Sequence, residues 1–231
     1  MNQYSYLENL NVFNNFPVDF EDWGAKDYDE MCGVEKYAYQ TYRYFIKPYL
    51  KNPTQNTVMD INCGKGYGLA CLKGEYGFKK VIGYNSDQNM LKACKDRHSG
   101  IPFYKDFILS KQKDADFILS FEAFNQYDNK SALLLRFSQA LSNDGILVIV
   151  QSTSNEFEYK NYESVLEKVH GLKKLYTNDI SDRVLNATKH YERHNDGSKS
   201  IAYASTISKL QRNSDDFKIF VSILENNDKI L

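Results

Sequence analysis

The fold is decided by residues 58–68, which read VMDINCGKGYG. Residues 58–61 are a short apolar run typical of a buried strand, and a helix is predicted to begin at Tyr67, after the glycines. Gly64 and Gly66 lack side chains, so the backbone can approach a ligand closely at a turn where open α/β folds bind their ligands. The spacing matches neither the dinucleotide motif G-x-G-x-x-G nor a P-loop.

Strands and helices alternate along the chain as far as residue 150. Strands are predicted over 58–61, 80–84, 102–105, 116–120 and 146–150, and helices over 67–75, 88–98 and 130–141. This alternation predicts a parallel sheet with helices on both faces.

Four further stretches follow the glycine turn in an order and spacing that match a known family. They are 81–91 (VIGYNSDQNML), 106–107 (DF), 116–124 (DFILSFEAF) and 143–149 (NDGILVI). In the turn itself, the acidic Asp60 stands two places before the alternating positions Asn62, Gly64 and Gly66. Together these stretches resemble the class I S-adenosylmethionine-dependent methyltransferases of the small-molecule type, over about residues 58–150.

The resemblance implies a fold, a cofactor and a set of binding residues. The implied fold class is α/β, a three-layer Rossmann-like sandwich with a mostly parallel seven-stranded sheet and an antiparallel C-terminal strand. The implied cofactor is S-adenosylmethionine, with S-adenosylhomocysteine as product. The positions that match the family's cofactor-binding residues are Asp60, Asn62, Cys63, Gly64, Gly66, Asn85, Ser86, Met90, Asp106, Phe107 and Ser120.

Two positions depart from the family pattern. Asn62 replaces the first turn glycine, and because Asn tolerates left-handed backbone angles, we expect the turn to be kept. Asn85 replaces the acidic residue that ends the second strand, so an uncharged amide would meet the ribose. Losing a charge-assisted hydrogen bond costs on the order of 1 kcal/mol. We therefore expect weakened but not abolished binding, and equal or tighter binding by Asn85→Asp.

The candidate catalytic residues are Glu122 and His190. Methyl transfer from a sulfonium is a direct displacement, in which the protein aligns the reacting atoms and excludes water. A base is needed only when the acceptor arrives protonated, and Gln126 stands where many small-molecule members of the family carry His. No metal site is expected, because His190 and His194 are one helical turn apart but lack an evident third ligand.

The domain organisation is predicted to be a single unit of residues 1–231. Its parts are an N-terminal helical cap (1–50), the cofactor-binding core (51–155), a lid-like helical insertion (156–198) and a C-terminal strand pair (199–231). Within the last two parts, helices are predicted over 161–169 and 179–194, and antiparallel edge strands over 200–210 and 217–224.

Composition limits the partners and the location. A formal net charge of -1 gives no case for a nucleic-acid partner. No run approaches the ~20 apolar residues of a membrane helix. Four cysteines without a CxxC pair argue for reduced thiols. We expect a cytoplasmic protein acting on a small molecule, with neither a nucleic-acid nor a membrane partner.

Two other functions fit the same residues. An enzyme on this scaffold could use the bound sulfonium as an electrostatic aid to a cyclisation or rearrangement, without methyl transfer, which the missing His and Asn85 favour. A binding or regulatory subunit that no longer takes the cofactor is the second alternative.

Overall fold

The computed structural model describes Tyr39 and residues 46–124, 127–153, 155–168, 171–181 and 218–226. The strands and α-helices within these ranges are, in chain order, β1 (Thr57–Ile61), α1 (Tyr67–Tyr76), β2 (Lys80–Tyr84), α2 (Gln88–Arg97), β3 (Phe103–Tyr104), β4 (Ala115–Phe121), α3 (Lys130–Ala140), β5 (Leu141–Thr153), α4 (Glu156–Glu167), β6 (Leu172–Asp179) and β7 (Lys218–Asn226). Two 3-10 helices, Lys47–Tyr49 and Pro53–Gln55, precede β1. None of these helices is both long and apolar enough to cross a membrane.

The strands of the described chain form one sheet in the order β3-β2-β1-β4-β5-β7-β6. Strands β1 to β5 are parallel where they pair, whereas β7 runs antiparallel to both β5 and β6. The predicted fold class, a mostly parallel seven-stranded α/β sandwich with an antiparallel C-terminal strand, is confirmed.

Helices cover both faces of the sheet. On one face Leu72 of α1 and Leu91 of α2 pack in the same buried cluster as Val58 of β1. On the other face Phe137 of α3 packs in a second cluster with Met59, the next residue of the same strand. Successive strand residues point to opposite faces, and both faces of β1 are buried. This is why β1 reads as a continuous apolar run in the sequence.

The prediction that residues 156–198 form a helical insertion is wrong for residues 172–179, which form a strand. Helix α4 begins at Glu156 rather than at residue 161, and Leu172–Asp179 forms β6, which pairs with β7 at the edge of the sheet. Most side chains of β6 are half-buried or exposed. Charged side chains such as Lys173 and Lys174 are typical of edge strands, where they discourage pairing with other chains. They also remove the apolar pattern by which a strand is recognised.

One strand of the predicted C-terminal strand pair has a counterpart in the structure. Residues 217–224 correspond to β7, but β7 lies between β5 and β6 rather than at the edge. The predicted partner, 200–210, lies outside the described residues, as do residues 182–198 and all of the predicted cap (1–50) except Tyr39 and residues 46–50.

Substitutions at two glycines should change the stability of the protein in opposite directions. A Cβ atom at Gly74, exposed on α1, would meet nothing within 4 Å, whereas one at Gly145 would lie 2.9 Å from the carbonyl oxygens of Ala115 and Ser142. We expect Gly74→Ala to raise the free energy of unfolding by about 0.5–1 kcal/mol through helix propensity. Gly145→Ala should lower it by about 1–3 kcal/mol through overpacking. Urea denaturation measures both, and shifts of the same sign would contradict the described packing.

Candidate functional site

The carboxyl ends of four parallel strands meet at one edge of the sheet. Ile61, the last residue of β1, pairs with Tyr84 on β2 and Ser120 on β4, and Tyr84 pairs with Tyr104 on β3. The strand order reverses between β1 and β4, and such a switch point opens a crevice for a ligand. The loops after β1, β2, β3 and β4 therefore surround one candidate site.

The turn after β1 is built from left-handed residues that alternate with others. Asn62, Gly64 and Gly66 have φ angles of 77°, 53° and 80°. The expectation that Asn62 keeps the turn is therefore confirmed. The Asn62 side chain also donates a hydrogen bond to the carbonyl of Phe121, at 2.9 Å, which joins the turn to the end of β4.

A tyrosine from the N-terminal region packs on the start of α1. The Tyr39 hydroxyl donates to the carboxylate of Asp60, which is 1% exposed. A Cβ atom at Gly68 would lie 1.8 Å from the Tyr39 ring, so Gly68 makes room for that ring. Sequence reasoning identified Asp60 but missed Tyr39, because no local signal in the sequence singles out that ring.

The side chain of Cys63 points into the protein, behind the turn. A hydrogen bond with Cys94, followed by burial and the charge of Asp60, raises the pKa of the Cys63 thiol well above its ordinary value. The Cys94 thiol donates to the carbonyl of Gly64 at 3.2 Å. Cys63 therefore has a protonated, inward-facing thiol, and only its backbone is placed to face a ligand.

Asn85 joins the turn after β1 to the turn after β2. Its amide nitrogen donates to the carbonyl of Gly64 at 3.1 Å, and its amide oxygen accepts from the backbone N–H of Asp87 at 2.9 Å. A carboxylate could not make the first bond, since it only accepts. The amide keeps one further proton and acceptor position for a ligand. Of its predicted neighbours, Ser86 is exposed and Met90 is half-buried in the first turn of α2.

The remaining predicted cofactor residues divide between surface and core. Asp106 is exposed beyond β3, where its carboxylate accepts from the backbone N–H of Leu109 at 3.3 Å. Phe107 is fully buried, with its ring 5.1 Å from that of Tyr84, so its side chain belongs to the core. The Ser120 hydroxyl is buried on β4 without a hydrogen-bond partner in the described part of the chain.

Glu122 joins the end of β4 to the end of β5. Its φ of 53° is unusual for a residue with a side chain, and such strain is concentrated at functional sites. Its carboxylate accepts from the side-chain nitrogen of Gln151 and from the backbone and hydroxyl of Ser152, at 2.8–2.9 Å. The other catalytic candidate, His190, and the nearby Gln126 lie outside the described residues.

A pocket of about 270 Å³ lies beside Glu122, between the end of β5 and helix α4. Its lining includes Phe124, Gln151, Thr153 and Tyr162. Sequence reasoning missed these residues, although the polar residues 151–153 that continue the apolar run of β5 were a usable signal. The described residues contain no group of three His, Cys, Asp or Glu side chains placed to hold a metal ion.

Comparison with known proteins identifies the family. The sequence model of the methyltransferase domain family matches residues 34–197. The chain belongs to this family. A trans-aconitate 2-methyltransferase of Rhizobium etli is 30% identical over 115 residues, which are 49% of this chain and 44% of the relative. The chain spans less than half the length of the curated relatives that it matches.

Solved structures share the methyltransferase fold. A geranyl diphosphate C-methyltransferase from Streptomyces coelicolor A3(2), in complex with S-adenosyl-L-homocysteine, has a TM-score of 0.66 at 13% identity, covering 91% of this chain and 85% of that one. The [4+2]-cyclase SpnF has a TM-score of 0.58 at 14% identity, covering 74% and 75%. The predicted family is confirmed, and the prediction of S-adenosylmethionine as cofactor agrees with these comparisons.

Asn85 gives a test in which stability and binding move differently. In Asn85→Asp a carboxylate would face the Gly64 carbonyl, so we expect the free energy of unfolding without ligand to fall by about 1–2 kcal/mol. The dissociation constant for S-adenosylhomocysteine should stay equal or fall, since a carboxylate accepts hydroxyl hydrogen bonds more strongly. Urea denaturation and calorimetry measure the two quantities.

Asn89→Asp is the matched control for this variant. It makes the same chemical change at an exposed position of α2, and we expect it to alter neither quantity appreciably. Weaker cofactor binding by Asn85→Asp, with binding by Asn89→Asp unchanged, would show that Asn85 does not meet the ribose.

Proposed function

We propose that the chain is an S-adenosylmethionine-dependent methyltransferase that acts on a small-molecule acceptor at O, N or C. The observation that carries the proposal is the turn at 62–66, with its alternating left-handed residues at the switch point of the sheet. The family match over residues 34–197 supports the same assignment.

The residues around the turn fit the proposed cofactor. Helix α1 follows Gly66, which has no side chain to cap it, and the N–H groups at a helix N-terminus favour a carboxylate. Asn85 has an N–H proton and an acceptor position for ribose hydroxyls, and Asp106 is an exposed acceptor for an adenine amino group. When bound, the cofactor supplies a methyl group from a positively charged sulfur. After the transfer that sulfur is part of a neutral thioether, S-adenosylhomocysteine.

The chain's own part in the reaction would be to hold the acceptor and exclude water. Asn62 bonds to the carbonyl of Phe121, and the next residue, Glu122, bonds to Gln151 and Ser152 in the wall of the pocket. This continuous connection supports the pocket as the acceptor site. A pocket of about 270 Å³ suits a small molecule, since pockets for drug-sized ligands measure ≈ 300–1,000 Å³.

Glu122 is better suited to positioning than to proton transfer. The carboxylate already accepts three hydrogen bonds from Gln151 and Ser152, and these bonds would break if its side chain turned toward an acceptor in the pocket. We therefore assign Glu122 to fixing Gln151 and Ser152. His190 stays a predicted catalytic residue.

A second candidate is an enzyme that uses the bound sulfonium without transferring its methyl group. The likeness to a [4+2]-cyclase favours keeping it, because one fold can host several reactions. Mass spectrometry of the products separates the two functions. Methyl transfer adds one CH₂ to the acceptor and leaves S-adenosylhomocysteine, whereas a rearrangement changes neither the mass of the substrate nor that of the cofactor.

Calorimetry with S-adenosylhomocysteine tests the cofactor site itself. We expect saturable binding by the wild-type chain and no detectable binding by Gly64→Val, because a β-branched residue is strained at a φ of 53°. Asp60→Ala should also lose binding. Circular dichroism establishes that the variants are folded, and Gly74→Ala, on the exposed face of α1, should bind like the wild type. No heat from wild-type protein at millimolar ligand would favour a subunit that does not bind the cofactor.

A further inference from the structure

The orientation of the Gln151 amide is fixed by its neighbours. Its nitrogen donates one hydrogen bond to Glu122 and another to the carbonyl of Ser152, both at 2.9 Å. An amide nitrogen has two protons, and these two hydrogen bonds use both of them. The amide therefore has a fixed orientation, with its carbonyl oxygen pointing the other way. Gln151 lines the pocket and is only 2% exposed, and no donor reaches this buried oxygen from the described residues.

A second buried polar group lies two residues further along β5. Thr153 is 4% exposed, and its hydroxyl has no hydrogen-bond partner in the parts of the chain that the structure describes. Residues i and i+2 of a strand face the same side, so both groups belong to one wall of the pocket. Buried polar atoms without partners are costly, and a bound molecule that hydrogen-bonds to them would remove that cost.

The charges around the pocket disfavour an acidic ligand. Glu158 lines the pocket, and Glu122 lies directly behind Gln151. The lining cation, Lys130, already donates to the carbonyls of Phe124 and Tyr127. A ligand carboxylate and the Gln151 oxygen can both only accept hydrogen bonds, so no bond would form between them. The negative charge of Glu122 would also repel the ligand carboxylate.

The pocket lining also includes aromatic carbon. The rings of Phe124 and Tyr162 meet edge to face, 5.4 Å apart at 83°. The Tyr162 hydroxyl donates to Ser222 at 2.8 Å, on neighbouring β7, so its proton is not available to a ligand. These rings suit a flat apolar body.

We propose that this pocket binds a small, uncharged aromatic molecule that carries hydroxyl groups, and that it rejects polycarboxylates. The ligand's hydroxyls would donate to Gln151 and bond with Thr153, while its ring packs against Phe124 and Tyr162. That this ligand is the methyl acceptor rests on the proposed function, whereas its binding does not. The preferred ligand therefore differs in charge from trans-aconitate, a tricarboxylate and the compound in the name of the curated relatives.

The test compares catechol, resorcinol and hydroquinone with trans-aconitate, by calorimetry at millimolar ligand, with and without S-adenosylhomocysteine. We expect saturable binding of at least one diol and at least tenfold weaker binding of trans-aconitate. Binding of no diol, or tighter binding of trans-aconitate, overturns the proposal. Because the diols are also measured without the cofactor, loss of cofactor binding alone would refute the proposed function and not this inference.

Two isosteric variants separate a ligand-binding hydroxyl from a structural one. Thr153→Val removes a hydroxyl that has no partner among the described residues, so the thermal midpoint should stay equal or rise while diol binding weakens at least fivefold. Thr177→Val removes a hydroxyl that bonds to Ser222 at 2.9 Å, so its midpoint should fall with diol binding unchanged. A lowered midpoint with unchanged diol binding in Thr153→Val overturns the proposal. Binding of S-adenosylhomocysteine should be unaffected in both variants.

Discussion

The carbonyl oxygen of Tyr84 accepts hydrogen bonds from the backbone N–H groups of Asn62 and Cys63, both at 2.9 Å. This shared acceptor fixes the turn after β1 to the end of β2. Two side-chain amides complete the attachment, from Asn62 to the end of β4 and from Asn85 back to Gly64. The turn is therefore held on both sides, and the first N–H groups of α1 are oriented by it. The positions of the candidate cofactor residues in the turns after β1 and β2 depend on this attachment.

The parallel half of the fold could be predicted because its signals are local. Strands β1, β2 and β4 are apolar runs buried on both faces, and the helices between them begin at turns that the sequence marks. The cap of α2 is an example, since Asp87 accepts hydrogen bonds from the backbone N–H groups of Asn89 and Met90. The left-handed geometry at Asn62 was likewise predictable from the residue type, because Asn tolerates positive φ. Family resemblance then supplied the cofactor.

Features that depend on distant parts of the chain could not be predicted in this way. Strand β6 exists because β7 offers it a free edge, and its own residues carry little apolar pattern. The contact of Tyr39 with Asp60 joins residues 21 positions apart, and nothing in the spacing of the N-terminal aromatics selects that ring. The inward side chains of Cys63 and Phe107 show a limit of prediction by family resemblance. A family alignment identifies a position near the ligand, but it does not tell whether the side chain or the backbone faces it.

The polar end of β5 is the place where local rules and the fold disagree, and functional sites are where such disagreement is expected. A buried strand end would be more stable with apolar residues, yet residues 151–153 are Gln, Ser and Thr, and two of their polar atoms lack partners among the described residues. Glu122 adds strain to this cost by holding a positive φ while it orients Gln151. Strain and polar atoms without partners at one point both lower the stability of the protein. A ligand that satisfies those atoms offsets part of this cost, so the same residues that lower the stability of the protein would select the ligand that the pocket binds.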